Sequence, residues 1–213
     1  VLYLGGGVRT SPDEMRVVDV LEQLALSWAR QQGLDLPDER PGAAALELMA
    51  RAITDPLERC RLLRERLAEA RPSEGHTRLA RLIAEGYFPA VFTADPTDLL
   101  QVALHNHHME AGKDYHLLAA GVDEPGEISL ALAGSTRVVV VKCAGAITRE
   151  FIPLSVAEVN HAISSIASVI QEAFRTLALF VAYTDREQAF LRYVPHEGDR
   201  AFWINRIIPM DDE

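Results

Sequence analysis

Four short segments of this 213-residue chain carry the residues whose types and spacing could hold a phosphorylated ligand. The first is Gly5-Gly6-Gly7, with Arg9 two residues on. Glycines let backbone N–H groups approach a phosphate, a following helix start adds its dipole, and a guanidinium can supply a further contact. A tight turn that only joins strand to helix reads equally well from three glycines. The second segment runs from Thr93 through Asp95 to Asp98. The third is Lys142-Cys143-Ala144-Gly145, where Lys142 and Gly145 are the candidates. The fourth is Tyr183-Thr184-Asp185.

Other clusters read more plainly as structure. His105-Asn106-His107-His108 puts two imidazoles three residues apart on one helical face, which would suit a metal, with Glu110 and Asp114 near. Histidines at a polar helix end, complementing its dipole, are the simpler reading, and no metal is expected. Cys143 follows four valines and reads as a small core residue. His161 and Gln171 read as surface or interhelix contacts, His76 as part of a helix start, and Trp28 and Trp203 as packing residues.

The elements that must position the four segments follow from hydrophobic periodicity. Val1-Leu2-Tyr3-Leu4 reads as a buried strand. Ser11 with Glu14 makes a capping box, with Pro12 in the first turn, so a helix is expected over 12–33 and Gly33 stops it. Residues 35–42 form a loop, helices follow at about 43–53 and 55–70, and a shorter one over 76–85 ends at Gly86. This helical stretch, about 35–86, is longer than a crossover needs and is expected as a layer beside the sheet. Further strands are expected over 88–93, 116–121, 137–142, 177–183 and 201–207. Asp95 is placed to cap a helix beginning at Pro96. A second capping box, Ser155 with Glu158, opens a helix running to about residue 175. Short helices at 125–133 and 186–194 complete the pattern. Continuously apolar strands alternating with helices predict an α/β fold: one Rossmann-like, doubly wound, mostly parallel sheet with a helical insertion. In such a sheet the ligand sits beyond the carboxyl ends of the strands, which is where all four segments fall.

Composition narrows the partners. A net charge of −10, with arginines interleaved among acids, argues against nucleic acid. Two cysteines give neither a disulfide framework nor a zinc ribbon, and fit a reducing, cytoplasmic setting. No apolar run is long enough to span a membrane. The chain begins within a strand and without Met, and is expected to be a piece of a longer protein whose other domains are its partners; homo-oligomerisation stays open.

In order and spacing, the four segments resemble the sirtuin-like (SIR2-like) domains of bacterial proteins. The matching residues are Gly5-Gly6-Gly7-Val8, Gly86 to Thr93 with Asp98-Leu99-Leu100, Val141-Lys142-Cys143-Ala144-Gly145, and Val181-Ala182-Tyr183-Thr184-Asp185. The resemblance implies a domain that binds NAD and, in many members, cleaves it. Several positions depart from the family pattern. Gly6 replaces an alanine and Arg9 a small or polar residue. Thr93-Ala94-Asp95-Pro96-Thr97-Asp98 lacks the family's Asn. Lys142-Cys143-Ala144-Gly145 has Ala144 where the family has its catalytic His.

Cleaving the glycosidic bond needs a general base within hydrogen-bond reach, and alanine supplies none. Asp13 and Glu14 in the first helical turn would also repel a pyrophosphate. The expectation is a catalytically impaired sensor of NAD, ADP-ribose or a related nucleotide, or a protein-interaction module. An active NADase of a bacterial defence or conflict system, and a scaffold that binds nothing, are the alternatives. The expected contact residues are Gly5, Gly6, Gly7, Arg9, Thr93, Asp95, Asp98, Lys142, Gly145, Tyr183, Thr184 and Asp185.

Overall fold

Leu2–Leu4 forms strand β1 with all three side chains buried, and the rest of the sheet assembles on either side of it. A computed structural model describes residues 1–7, 9–11, 15–134, 137–184, 188–195 and 201–204. Within them, Thr10–Ser11 (β2) and Arg71–Pro72 (β3) pair as a two-stranded antiparallel ribbon. Strands β4 (Ala90–Thr93), β5 (Tyr115–Ala119), β6 (Val138–Lys142), β7 (Ala178–Val181) and β8 (Ala201–Ile204) join β1 in one sheet, in the order β5-β6-β4-β1-β7-β8. Every pairing in that sheet is parallel.

Both faces of the sheet are covered, which is why its central strands are apolar at successive positions rather than alternate ones. Leu2, Leu4, Val91 and Val140 point to one face, under helices α4 (Glu74–Ala84) and α5 (Leu99–Asn106). Tyr3, Phe92, Val141 and Phe180 point to the other, under α6 (Pro125–Gly134), α7 (Val156–Ser165), α8 (Ala167–Ala173) and α9 (Gln188–Leu191). Crossovers that step one way along the sheet run over the first face and those that step the other way over the second, as right-handed connections require.

A third cluster joins α1 (Val17–Gln31), α2 (Pro41–Ala52) and α3 (Pro56–Arg66) to Ile147, Ile152 and Leu154, on the segment leaving the carboxyl end of β6. The helices expected over 35–86 are therefore present but do not form one layer. Helices α2 and α3 build a cap with α1, whereas α4 turns Ala80 and Ile83 onto the sheet as an ordinary crossover helix.

The first helix starts later than the capping signal predicts. Ser11 lies in β2, and α1 begins at Val17 with Arg16 at its N-cap and no side-chain cap. Pairing with Arg71–Pro72 draws the backbone of Thr10–Ser11 into an extended form, and this long-range contact overrides the local preference. Asp19 takes the acidic place in the first turn, held by two hydrogen bonds from the Arg16 guanidinium at 2.8 and 2.7 Å. Pro12, Asp13 and Glu14 lie outside the described residues, so their expected helical turn has no counterpart among them.

The helix expected from 155 to about 175 starts on its capping box, with Ser155 accepting from the Glu158 amide. It breaks at Ile166 into α7 and α8. The Ser164 and Ser165 hydroxyls donate to the carbonyls of His161 and Ala162, a local competition that loosens a helical turn. Gly33 and Gly86 close their helices in the left-handed region, as expected.

Candidate functional site

Two places in the sheet are topological switch points. The connections from β1 and β4 leave over the α4–α5 face, while those from β6 and β7 leave over the opposite face. Neighbouring loops therefore diverge between β1 and β7, and again between β4 and β6, opening space beyond the strand ends.

At the β1/β7 point the glycine loop packs on the turn after β7. The Gly5 amide donates to the Val181 carbonyl at 2.8 Å and the Gly7 amide to the Ala182 carbonyl at 2.9 Å. A Cβ on Gly7 would lie 2.7 Å from the Ala182 carbonyl oxygen, so glycine here permits one loop to touch another. The amides of Gly5 and Gly7 are thus taken by the last residue of β7 and the one after it, which leaves neither of these two for a phosphate. Among the described residues the first helix after the loop, α1, begins only at Val17. Arg9 pairs through its backbone with Arg16 in an isolated antiparallel bridge. Tyr183 is half-buried in an aromatic group, its ring 6.4 Å from Tyr3 and 5.7 Å from Trp203. Trp203 stacks on Phe180 at 4.3 Å yet stays 47% exposed, so its packing is one-sided. Thr184 lines a cleft of about 790 Å³. Its far wall is made by α1 and the uncapped N-terminus of α2, and its near wall by Gln188 and Arg192. Asp185 lies outside the described residues.

At the β4/β6 point the polar residues turn inward. Asp95 is fully buried; its carboxylate accepts from the Thr97 amide at 2.8 Å and the Thr97 hydroxyl at 2.9 Å. It therefore caps the turn at Pro96-Thr97 and not helix α5, which begins at Leu99. Lys142, also fully buried, reaches across from β6 and donates to the carbonyls of Asp95 at 2.9 Å and Thr97 at 2.6 Å. Thr93 is buried too, its hydroxyl accepting from the Asp95 amide. Burial by itself would raise the Asp95 carboxyl, but His76, the Lys142 ammonium and the Thr97 hydroxyl outweigh it and hold it at about 2. Burial pushes the Lys142 ammonium below its ordinary value, against the pull of Asp95 and Asp98.

His76 completes this network from the first turn of α4. Its Nδ1 accepts from the Ser73 amide at 3.2 Å, and its Nε2 lies 3.8 Å from the Asp95 carboxylate. Sequence reasoning placed His76 at a helix start and missed its partner. The available signal was a histidine three residues after a capping serine, preceding a strand that ends in an acidic turn.

Gly145 turns the chain after β6 at a φ of +91°. An added Cβ would lie 2.4 Å from Pro153 Cδ and 2.6 Å from the Phe151 carbonyl oxygen. Gly145→Ala is expected to cost about 1–3 kcal/mol, read as a lowered midpoint in urea unfolding. An unchanged midpoint would show that the segment yields freely. Cys143 is buried, its amide donating to the Thr93 carbonyl at 2.7 Å, in keeping with a core residue. Asp98 differs from its neighbours: it is exposed at the N-cap of α5 and makes no capping bond. It lines two pockets of about 420 and 380 Å³.

Of the twelve expected contact residues, Asp98 and Thr184 line these cavities, whereas Thr93, Asp95 and Lys142 are internal. Among the described residues no group of three or more His, Cys, Asp or Glu side chains is arranged to hold a metal, and no helix is long and apolar enough to cross a membrane. Compared with known proteins, the chain matches no family model and no curated protein.

Proposed function

We propose that this chain is a nucleotide-binding module that takes NAD, ADP-ribose or a similar ligand at the β1/β7 switch point and senses it without cleaving it. The observation that carries this reading is the 790 Å³ cleft between the α1–α3 cap and the rim of the sheet. That volume lies in the upper part of the range of about 300–1,000 Å³ used by small-molecule and cofactor sites. Arg40, at the N-cap of α2, and Arg192, beyond α9, offer guanidinium donors for a pyrophosphate. Leu26, Leu46 and Leu154 offer apolar surface for a base, and the Glu22 carboxylate can accept from ribose hydroxyls.

The resemblance of the four rim segments to sirtuin-like domains supports the choice of ligand. A sensing role is favoured over cleavage by Ala144, which stands where that family has its base. Its partners would then be other domains of a longer chain, responding to the bound nucleotide.

Millimolar NAD or ADP-ribose is expected to raise the melting temperature, and Arg192→Gln to weaken that response at least tenfold in apparent affinity. Etheno-NAD should remain intact beside the protein. Melting unmoved by either nucleotide would leave a scaffold, and steady etheno-NAD turnover would make the domain an NADase.

A further inference from the structure

The β4/β6 switch point has its own cavity, about 420 Å³, sharing no lining residue with the larger cleft. We propose that this pocket is a separate subsite for the phosphate monoester of a small polyhydroxylated molecule, a sugar phosphate, held by Arg64, Arg71 and Asp98.

The argument starts from how the arginines of this region are neutralised. Arg61, Arg78 and Arg81 each pair with a glutamate four residues away on the same helix. Among the described residues, Arg64 and Arg71 instead donate only to main-chain carbonyls. Arg64 bonds the Ile147 carbonyl at 2.8 Å, and Arg71 those of Ala68 and Ala70 at 3.3 and 2.9 Å. Neither forms an ion pair with a carboxylate among the described residues. The carbonyl bonds orient both guanidiniums while leaving most of their five N–H donors unused. In a chain of net charge −10, two oriented cations without an acidic ion-pair partner among the described residues, both lining one pocket, make a receptor for an anion.

Asp98 lines the same pocket and points to the rest of the ligand. As an N-cap residue it would ordinarily accept from the amides of its own helix, yet it makes no such bond and stays exposed. Its oxygens are therefore open to vicinal hydroxyls. Leu67, Leu99 and Val102 line the same pocket and give apolar surface that suits the carbon skeleton of a sugar. The volume is in the lower part of the range used by small ligands and fits a monoester better than a dinucleotide.

Calorimetric titration of the whole chain with ribose 5-phosphate, ribose and inorganic phosphate tests the proposal. Ribose 5-phosphate is expected to bind, ribose not to, and inorganic phosphate to bind at least tenfold more weakly than the ester. The double variant Arg64→Gln, Arg71→Gln should lose at least tenfold in affinity for the ester. Asp98→Asn should weaken the ester without weakening inorganic phosphate. All three positions are exposed, so unliganded melting temperatures should match the parent, and Arg192→Gln in the other cleft should bind ribose 5-phosphate normally. Absence of ester binding, ester and inorganic phosphate binding equally, or variants that bind like the parent would each overturn the assignment.

Discussion

Lys142→Met is expected to destabilise the fold by about 3–5 kcal/mol, the range for breaking a buried charge pair from one side. Methionine fills a similar volume, so the cost does not come from a cavity. It comes from three groups left behind in a fully buried place: the carbonyls of Asp95 and Thr97 lose their donor, and the Asp95 carboxylate loses a counter-charge. Adding Asp95→Asn to Lys142→Met should recover part of the loss, because the stranded charge is then gone. Urea unfolding of the four proteins of this cycle is the measurement, and a loss below about 1 kcal/mol for Lys142→Met would contradict the network's role.

The same network predicts an acid limb. The Asp95 carboxyl is held at about 2 against an ordinary value of 3.8. A depressed carboxyl contributes stability that is fully present above the unfolded value and is lost as pH falls from there through about 2. The parent should therefore lose about 2 kcal/mol from this group across that window. Asp95→Asn should flatten that part of the stability profile. An equally steep limb in Asp95→Asn would assign the loss to other carboxylates.

The second large effect is expected at Arg59, where Arg59→Leu should cost about 3 kcal/mol. Arg59 is 9% exposed and its guanidinium has four partners. Its Nε donates to the Ile53 carbonyl at 2.6 Å and its Nη2 to the Ala50 carbonyl at 2.7 Å, satisfying carbonyls at the end of α2. Its Nη1 reaches the Ile152 carbonyl at 3.3 Å and Glu158 at 3.0 Å, tying the cap to the first turn of α7.

Leucine leaves three carbonyls without this donor, at about 1 kcal/mol each. Glu158 adds less. It is part-exposed and keeps its bonds from the Leu154 and Ser155 amides, which with Arg59 hold its carboxyl low against the opposing effect of burial. Arg59→Lys should recover only a fraction, since one ammonium cannot span four acceptors. Denaturant midpoints for both variants test this, and full rescue by lysine would show that charge alone matters there.

By sequence alone, the strand and helix inventory was largely legible, because its signals are local. Leu2-Tyr3-Leu4 and the four valines before Lys142 are apolar at every position, and that pattern marks strands covered on both faces. Ser155 with Glu158 marks a helix start, and Gly33 and Gly86 mark ends that need a left-handed residue. These features also implied a parallel sheet, with four loop segments at its carboxyl rim.

What each rim residue does was decided only by tertiary structure. Ser11 looks like a helix cap until Arg71–Pro72, sixty residues away, pairs with it. Asp95 looks like a cap for α5 until Lys142 and His76 draw it inside, Lys142 from 47 positions along the chain. The Gly5 and Gly7 amides look free for a phosphate until Val181, at the end of β7, and Ala182 just after it take them. A buried polar group must find partners wherever the fold brings them, and burial sets that requirement without regard to distance along the chain. Spacing therefore located the rim in the sequence, but only packing separated the residues that line its cavities, Asp98 and Thr184, from those that hold it together.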